Sequence, residues 1–451
     1  MAEATGSVQL TGWGRTASTA ARLVAPDAAG VPDLVAAAGP RGILARGLGR
    51  SYGDAAQNAG GVVVAPLPGS IELLRPPPDG AVRVSAGTSL HELIRWLLPR
   101  GFFVPVTPGT RHVTVGGAIA ADVHGKNHHR DGGFSAHVEE ITLVCGDGVV
   151  RSVGPDRDPE LFWATAGGMG LTGIITAATV RVRPVESGYV LVDTQRLPDL
   201  DAAMAEMLEA DRSAPYSVAW IDTVARGRHL GRSVLTTGGH ARLADLPGRL
   251  RSAPWALPRG ARLAAPDPGP VSLVSRAAVR AFNEAWFRKA PRHRVGELQT
   301  TATFFHPLDG VDRWNRLYGR PGFVQYQLVL PDASAGLLPA ILERVAGSGC
   351  ASFLSVLKRL GPASGGLLSF PMPGWTLALD LPVRRGVAEL FAALDRAVLD
   401  GGGRLYLAKD ARMSPTMLAA SYPRLEEFRL VRRRVDPHGV FQSDLARRLA
   451  I

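Results

Sequence analysis

A chain of 451 residues is too long for one ordinary core and predicts two domains, or three. Hydrophobic residues at 46% and charged residues at 20% describe a soluble globular protein, and the 52 glycines and 34 prolines are spread out rather than gathered in disordered tracts. The net charge of +11 suits nucleic acid, anionic lipid or a phosphorylated substrate, but no nucleic-acid motif is present and the arginines form no tract, which leaves a phosphate-bearing ligand or a membrane surface.

In chain order, the N-terminal stretch MAEATGSVQLTGWGRT has no apolar core segment and no twin arginine, so no export signal is expected. Residues 41–45 read as a strand leading into a glycine-rich loop, Arg46 to Asp54. Val82–Ser85 reads as a second strand. Ser89 with Glu92 forms a capping box that starts a helix through Leu97, stopped by Pro99 and Gly101. Thr107-Pro108-Gly109-Thr110 is a turn, and Val115–Ala120 is a small, apolar run suited to close backbone packing. Asp158-Pro159-Glu160 opens a helix, and Gly173 begins a strand through Val182.

From about residue 188 the texture changes to longer helices (200–208, 337–345, 387–399) alternating with strands such as 323–330. Residues 240–272, rich in Pro, Ala and Arg, read as a mobile loop. After Gly403 a strand over 404–408 leads into a basic helical tail. The expected division is 8–187, 188–403 and 404–451. No run of about 18 apolar residues is present to cross a bilayer. Cys145 and Cys350 have no disulfide or metal spacing and read as core thiols.

Three attractive motifs fail on context. Gly168-x-Gly170-x-x-Gly173 matches a dinucleotide fingerprint, but a helix precedes it and a strand follows, the reverse of the required order. Gly49-Arg50-Ser51-Tyr52-Gly53 matches a nucleophile elbow without the strand and helix an elbow needs. His124, His128 and His129 have no cysteine or clear acidic ligand to complete a metal set, so no metal is expected. What remains are three segments of little-obstructed backbone, 46–54, 107–118 and 167–173, which together suggest concave anion sites for one long ligand with a pyrophosphate in its middle. A second signal is lysine scarcity. Of 51 basic residues only Lys126, Lys289, Lys358 and Lys409 are lysines, and lysine can lose its proton where arginine cannot.

The segments Ala45–Asp54, Val106–Ala120, His124–His128 and Leu161–Thr165 resemble the vanillyl-alcohol-oxidase/PCMH-type FAD family. Within it they are most similar to the branch acting on a polyprenyl-phosphate-linked pentose of the actinobacterial cell wall. The resemblance extends through Gln325-Tyr326-Gln327, Phe353–Lys358, Pro373-Gly374-Trp375 and Ala408-Lys409-Asp410. It implies an α+β fold with an FAD domain, a substrate domain on an antiparallel sheet, and a C-terminal return to the FAD domain. It places Arg46, Gly47, Leu48, Gly49, Arg50, Ser51, Tyr52 and Gly53 on the cofactor. Gly109, Thr110, Thr114, Val115, Gly116, Gly117, Ala120 and His124 join them, as do Gly170, Leu171, Thr172, Gly173, Ile174 and Tyr406. Several relatives link FAD through a histidine in the first loop. Arg50 stands there, so non-covalent FAD is expected. Ala378 stands where some relatives carry cysteine, so no thiol is required at that position.

The resemblance also implies oxidation of the 2-hydroxyl of a lipid-linked ribofuranose, an NAD(P)H-dependent reductase partner that completes the epimerisation, and peripheral contact with the plasma membrane on an undecided face. Lys409 is the candidate proton acceptor, its neutral form favoured by burial and an arginine cluster. His124 orients the ring hydroxyl or polarises the flavin. Tyr52 stacks on the flavin or bonds the substrate. Lys126, Gln325, Gln327, Lys358 and Thr376, with Lys409, are the expected substrate contacts. Tyr406, two residues into its strand, lines the cofactor. An oxidase of a soluble sugar, alditol or lactone, and a non-enzymatic polyprenyl-phosphate or flavin binder, are the rival readings.

Overall fold

A computed structural model describes residues 6–261, 263–267, 269, 270 and 272–451. The protein is α+β, built on three principal sheets. The first runs Ser7–Thr11, Ser18–Val24, Val62–Val64, Ile43–Ala45, and the second Ile71–Arg75, Ala81–Ser85, Ile174–Arg181, Val138–Val144, Val150–Val153. The third has eight strands in the order His293–Thr300, Tyr189–Leu197, Ser233–His240, Tyr216–Ile221, Ser355–Leu360, Gly374–Pro382, Phe323–Pro331, Arg404–Leu405. Its pairings are all antiparallel. One apolar core runs from the second sheet into the third, which fixes the space between them.

Local chemistry explains most boundaries. Ser89 accepts from the Glu92 N–H while Glu92 takes the Ser89 N–H, closing the capping box on Leu90–Leu97. Asp158 caps Pro159–Thr165. Phe323–Pro331 and Gly374–Pro382 are buried almost throughout, as central strands under helices must be.

Several expectations change. Val115–Ala120 is a short helix capped by Thr114, although its two glycines disfavour helix. The strand after Gly403 is only Arg404–Leu405, so Tyr406 lies just beyond it. That strand pairs with Phe323–Pro331, so the third sheet extends past residue 403. The 240–272 loop contains a short helix, Gly248–Arg251, and Leu263–Ala264 pairs with Val311–Asp312. Its residues 262, 268 and 271, like residues 1–5 of the N-terminal stretch, lie outside the described residues. A 14-residue helix, Arg276–Lys289, follows that loop and was not foreseen. Both cysteines are free and buried. The C-terminal tail returns to the first sheet: Ile43 bridges Phe441, and the Ala59 N–H donates to Asp444.

Candidate active site

A cavity of ≈ 930 Å³ lies where the first two sheets face the third. Its wall is made at one end by the loop Arg46–Tyr52. That loop is anchored by backbone bonds from Arg46 N–H to Val64 O and from Tyr52 N–H to Ala408 O, and Arg46 spends its guanidinium on Ala56 O and Thr11 O. Between the anchors, no acceptor among the described residues takes the N–H groups of Gly47, Leu48, Gly49, Arg50 or Ser51. Gly49 turns the chain at φ +65°, where a side chain would be strained. Five successive amides without an internal acceptor among the described residues lie on a loop that lines the cavity, a backbone arrangement available to an anion. Arg50 lies with its guanidinium carbon 4.0 Å from the Trp13 ring centre.

Gly116 and Gly117 contribute differently from expectation. Their N–H groups already donate to Ala86 O and the Thr114 hydroxyl, so they supply close approach rather than anion donors. Gly109, Thr110, Thr114, Ala120, Gly170, Gly173 and Ile174 also line the cavity. Gly53, Val115, Leu171, Thr172 and Thr376 do not. A Cβ on Gly53 would collide with the Asp410 carbonyl oxygen, Val115 and Leu171 are core residues, and the Thr172 hydroxyl bonds that of Thr165 at 2.9 Å. The Thr376 hydroxyl accepts from Gln327 at 3.2 Å, one layer behind the wall.

Lys409, Tyr52, Gln325, Gln327, Lys358, His124, Lys126 and Tyr406 also line the cavity. The Lys409 ammonium sits 3.9 Å from the Tyr52 ring centre. Burial pushes Lys409 down to about 7. Asp380 opposes the shift and Lys358 reinforces it, so a lysine and a carboxylate occupy the place of the expected arginine cluster. Burial likewise lowers Lys358 to about 8. Lys126 falls to about 7 through burial and Lys358, but it is engaged by the fold, donating to Phe304 O at 2.5 Å over the Phe304 ring. The Gln327 amide donates to His124 Nε2 at 2.9 Å. Burial, then Lys358, His128 and Lys409, hold His124 neutral, so its proton is on Nδ1, which has no partner among the described residues. Tyr406 donates to Ala121 O at 2.7 Å and flanks the His124 ring. His128 and His129 are used elsewhere. His128 Nδ1 accepts from the Gly361 N–H, and His129 lies 3.2 Å from Ala214 O.

Two features escaped sequence reasoning. Asp380 is fully buried directly behind Gln325, whose amide donates to it at 2.5 Å. Its only sequence signal is a lone carboxylate in the apolar run Thr376–Pro382. The other is an arm of the cavity along Val218, Trp220, Val234, Val356 and Phe353, mostly apolar, with Thr194 and Thr236 on the same sheet face. It ends at Phe282 and Trp286, stacked with ring centres 6.0 Å apart and exposed by 45% and 44%. Alternation on Tyr216–Ile221 and Ser233–His240 could have shown which residues share a face, but not what that face meets.

Residues 20–154 match the model of the FAD binding domain, and residues 379–449 match that of D-arabinono-1,4-lactone oxidase. The chain is 42% identical to the decaprenylphosphoryl-beta-D-ribose oxidase of Mycolicibacterium smegmatis, over 98% of this chain and 97% of that one. It is 27% identical to a Streptomyces alditol oxidase over 82% of this chain and 80% of that protein. A match to the Saccharomyces cerevisiae D-arabinono-1,4-lactone oxidase, 31% identical, covers 35% of this chain and 29% of that protein.

Proposed function

The chain belongs to the FAD-dependent family of the decaprenylphosphoryl-β-D-ribose oxidases, and from that membership we propose that it oxidises the 2-hydroxyl of a polyprenylphosphoryl-β-D-ribose to the 2-keto sugar. The oxidation removes a proton from the hydroxyl oxygen and a hydride from the carbon that bears it. Bound FAD supplies the hydride acceptor. The chain's own work is placement and proton transfer.

The free amides of Gly47 to Ser51 would hold the diphosphate. Arg50, in the position of the linking histidine of some relatives, leaves the cofactor dissociable. Neutral Lys409 takes the hydroxyl proton, and its partial deprotonation near neutral pH suits that task. The His124 Nδ1–H, free of partners, orients the sugar oxygen. Lys358, in no ion pair among the described residues, faces the phosphate. Gln327 fixes the His124 ring.

The observation that carries this reading is the continuity of the cavity from Lys409 along an apolar arm to the exposed Phe282–Trp286 pair. A soluble sugar needs no such arm; an isoprenoid chain does. The arm opens beside the Arg276–Lys289 helix, and residues 276–294 carry six Arg or Lys against one carboxylate, Glu284. Such a surface suits an anionic leaflet and supports peripheral contact with the membrane. The keto sugar would pass to a separate NAD(P)H-dependent reductase.

The test is anaerobic mixing of the holoenzyme with polyprenylphosphoryl ribose. The visible flavin band should bleach with that substrate and not with free ribose. Bleaching by xylitol or an aldonolactone in its place would favour the soluble-substrate reading, and no bleaching by any of them a binding protein.

A further inference from the structure

We propose that Asp380 is a positioning residue for the Lys409 amine, supplying inside the protein the counter-charge that the ammonium meets once it has taken the substrate proton. This rests on the proton-acceptor role given to Lys409 above.

A buried carboxylate normally needs a cation or several donors. Asp380 is fully buried, yet among the described residues it makes no ion pair within salt-bridge distance. Gln325 donates to Oδ1, and Oδ2 has no partner. A structural role alone is a poor reason to keep such a group.

Its placement points toward the cavity. Ala378 and Asp380 are two apart on one strand and share a face, and Ala378 lines the cavity. Gln327 lies opposite Ala378 and Gln325 opposite Asp380. Gln325 therefore stands between Asp380 and the space that Lys409 occupies. Phe323, on the same face two residues earlier, meets the Tyr52 ring edge-on at 5.4 Å, and Tyr52 carries the Lys409 ammonium on its ring. The two ionisable groups are thus held by one layer of Phe323, Gln325 and Tyr52.

The charged and titratable groups facing Lys409 are Asp380, Lys358, Tyr52 and His124. Those facing Asp380 are Lys409, Tyr52 and Tyr318. Asp380 is the only carboxylate in the set. Burial favours the neutral form of each, raising Asp380 against Gln325 and Lys409 and lowering Lys409 against Asp380. Each charge therefore stabilises the other once the proton sits on the amine. Without the carboxylate, burial and Lys358 act on Lys409 unopposed, so the amine becomes a weaker base and its titration moves to lower pH.

The chain has only four lysines, so biosynthetic [ε-13C]lysine gives the holoenzyme four side-chain signals, and Lys409→Arg identifies the one of interest. In Asp380→Asn the Lys409 signal should titrate lower by about one pH unit or more. Asp380→Glu should restore most of it. Gln325→Met, which keeps the carboxylate but removes its donor, should shift Lys409 the same way by less, and it serves if Asp380→Asn does not fold. The acid limb of the flavin-reduction rate should move in step. An unchanged Lys409 titration in the Asn variant, or in the Met variant where only that one folds, overturns the proposal. The measurement needs no substrate, so failure of lipid-linked ribose to reduce the flavin would count against the function and leave this result standing.

Discussion

At the scale of single residues, three of the four lysines, Lys126, Lys358 and Lys409, are buried beside the cavity, where burial favours the neutral amine. Lys409→Arg keeps a positive charge but removes a base, so the flavin-reduction rate should fall by about 10²- to 10⁴-fold while FAD stays bound. Stopped-flow absorbance checks this. Because the neutral amine is the working form, the wild-type rate should climb as pH rises through about 7 and then level off. A rate that instead falls over that range would remove Lys409 from the role. Lys409 was legible in the sequence because an arginine-rich chain kept a lysine there. The source of its shift was not, since Asp380 and Lys358 come from two other strands whose register no local pattern reveals. Lys126 also lines the cavity. It stood out for the same reason, yet its ammonium is held by the Phe304 carbonyl.

At the scale of elements, caps and breakers were readable and tertiary overrides were not. Ser89 and Glu92, or Asp158 and Pro159, announce a helix start through local hydrogen bonds. Ser89→Ala should cost about 1 kcal/mol in urea unfolding. Val115–Ala120 gave no such signal, because its glycines oppose helix and tertiary contacts hold it: the Thr114 cap, the bonds of Val115 and Gly116 to Thr88 O and Ala86 O, and the burial of Val115, Ala118 and Ile119. The glycine loops looked alike in sequence, but only hydrogen-bond accounting separates the free amides of 47–51 from the spent ones of 116 and 117. Gly49→Ala places a side chain at φ +65°, with a cost of about 1 kcal/mol. It should tilt those amides and loosen FAD, read as flavin lost on gel filtration. Gly117→Ala, whose Cβ would meet only the Thr114 hydroxyl at 3.0 Å, should lose less.

At the scale of the whole molecule, the α+β plan and the return of the tail to the first sheet followed from the resemblance. The apolar arm and its basic rim did not, since they require strands about 140 residues apart, such as 216–221 and 355–360, to be neighbours. Vesicles containing phosphatidylglycerol should bind the holoenzyme in a salt-sensitive way, and pure phosphatidylcholine should bind it less. Arg276→Glu with Arg280→Glu, outside the cavity, should weaken that binding about tenfold or more in flotation. Equal binding of both vesicle types would remove the electrostatic part of the argument.

The bond from Tyr52 N–H to Ala408 O, the tight seat of Gly53 against Asp410, and Arg448 gripping both Asp54 and Asp410 weld the anion loop to the lysine segment. That seam joins the loop and the lysine segment into one part, while the stretch of the eight-stranded sheet around Val218, Trp220 and Val234 lies away from it. An engineer seeking a different alcohol would therefore recut Val218, Trp220 and Val234 and leave the weld alone. A change on either side of it would misalign both halves of the reaction at once.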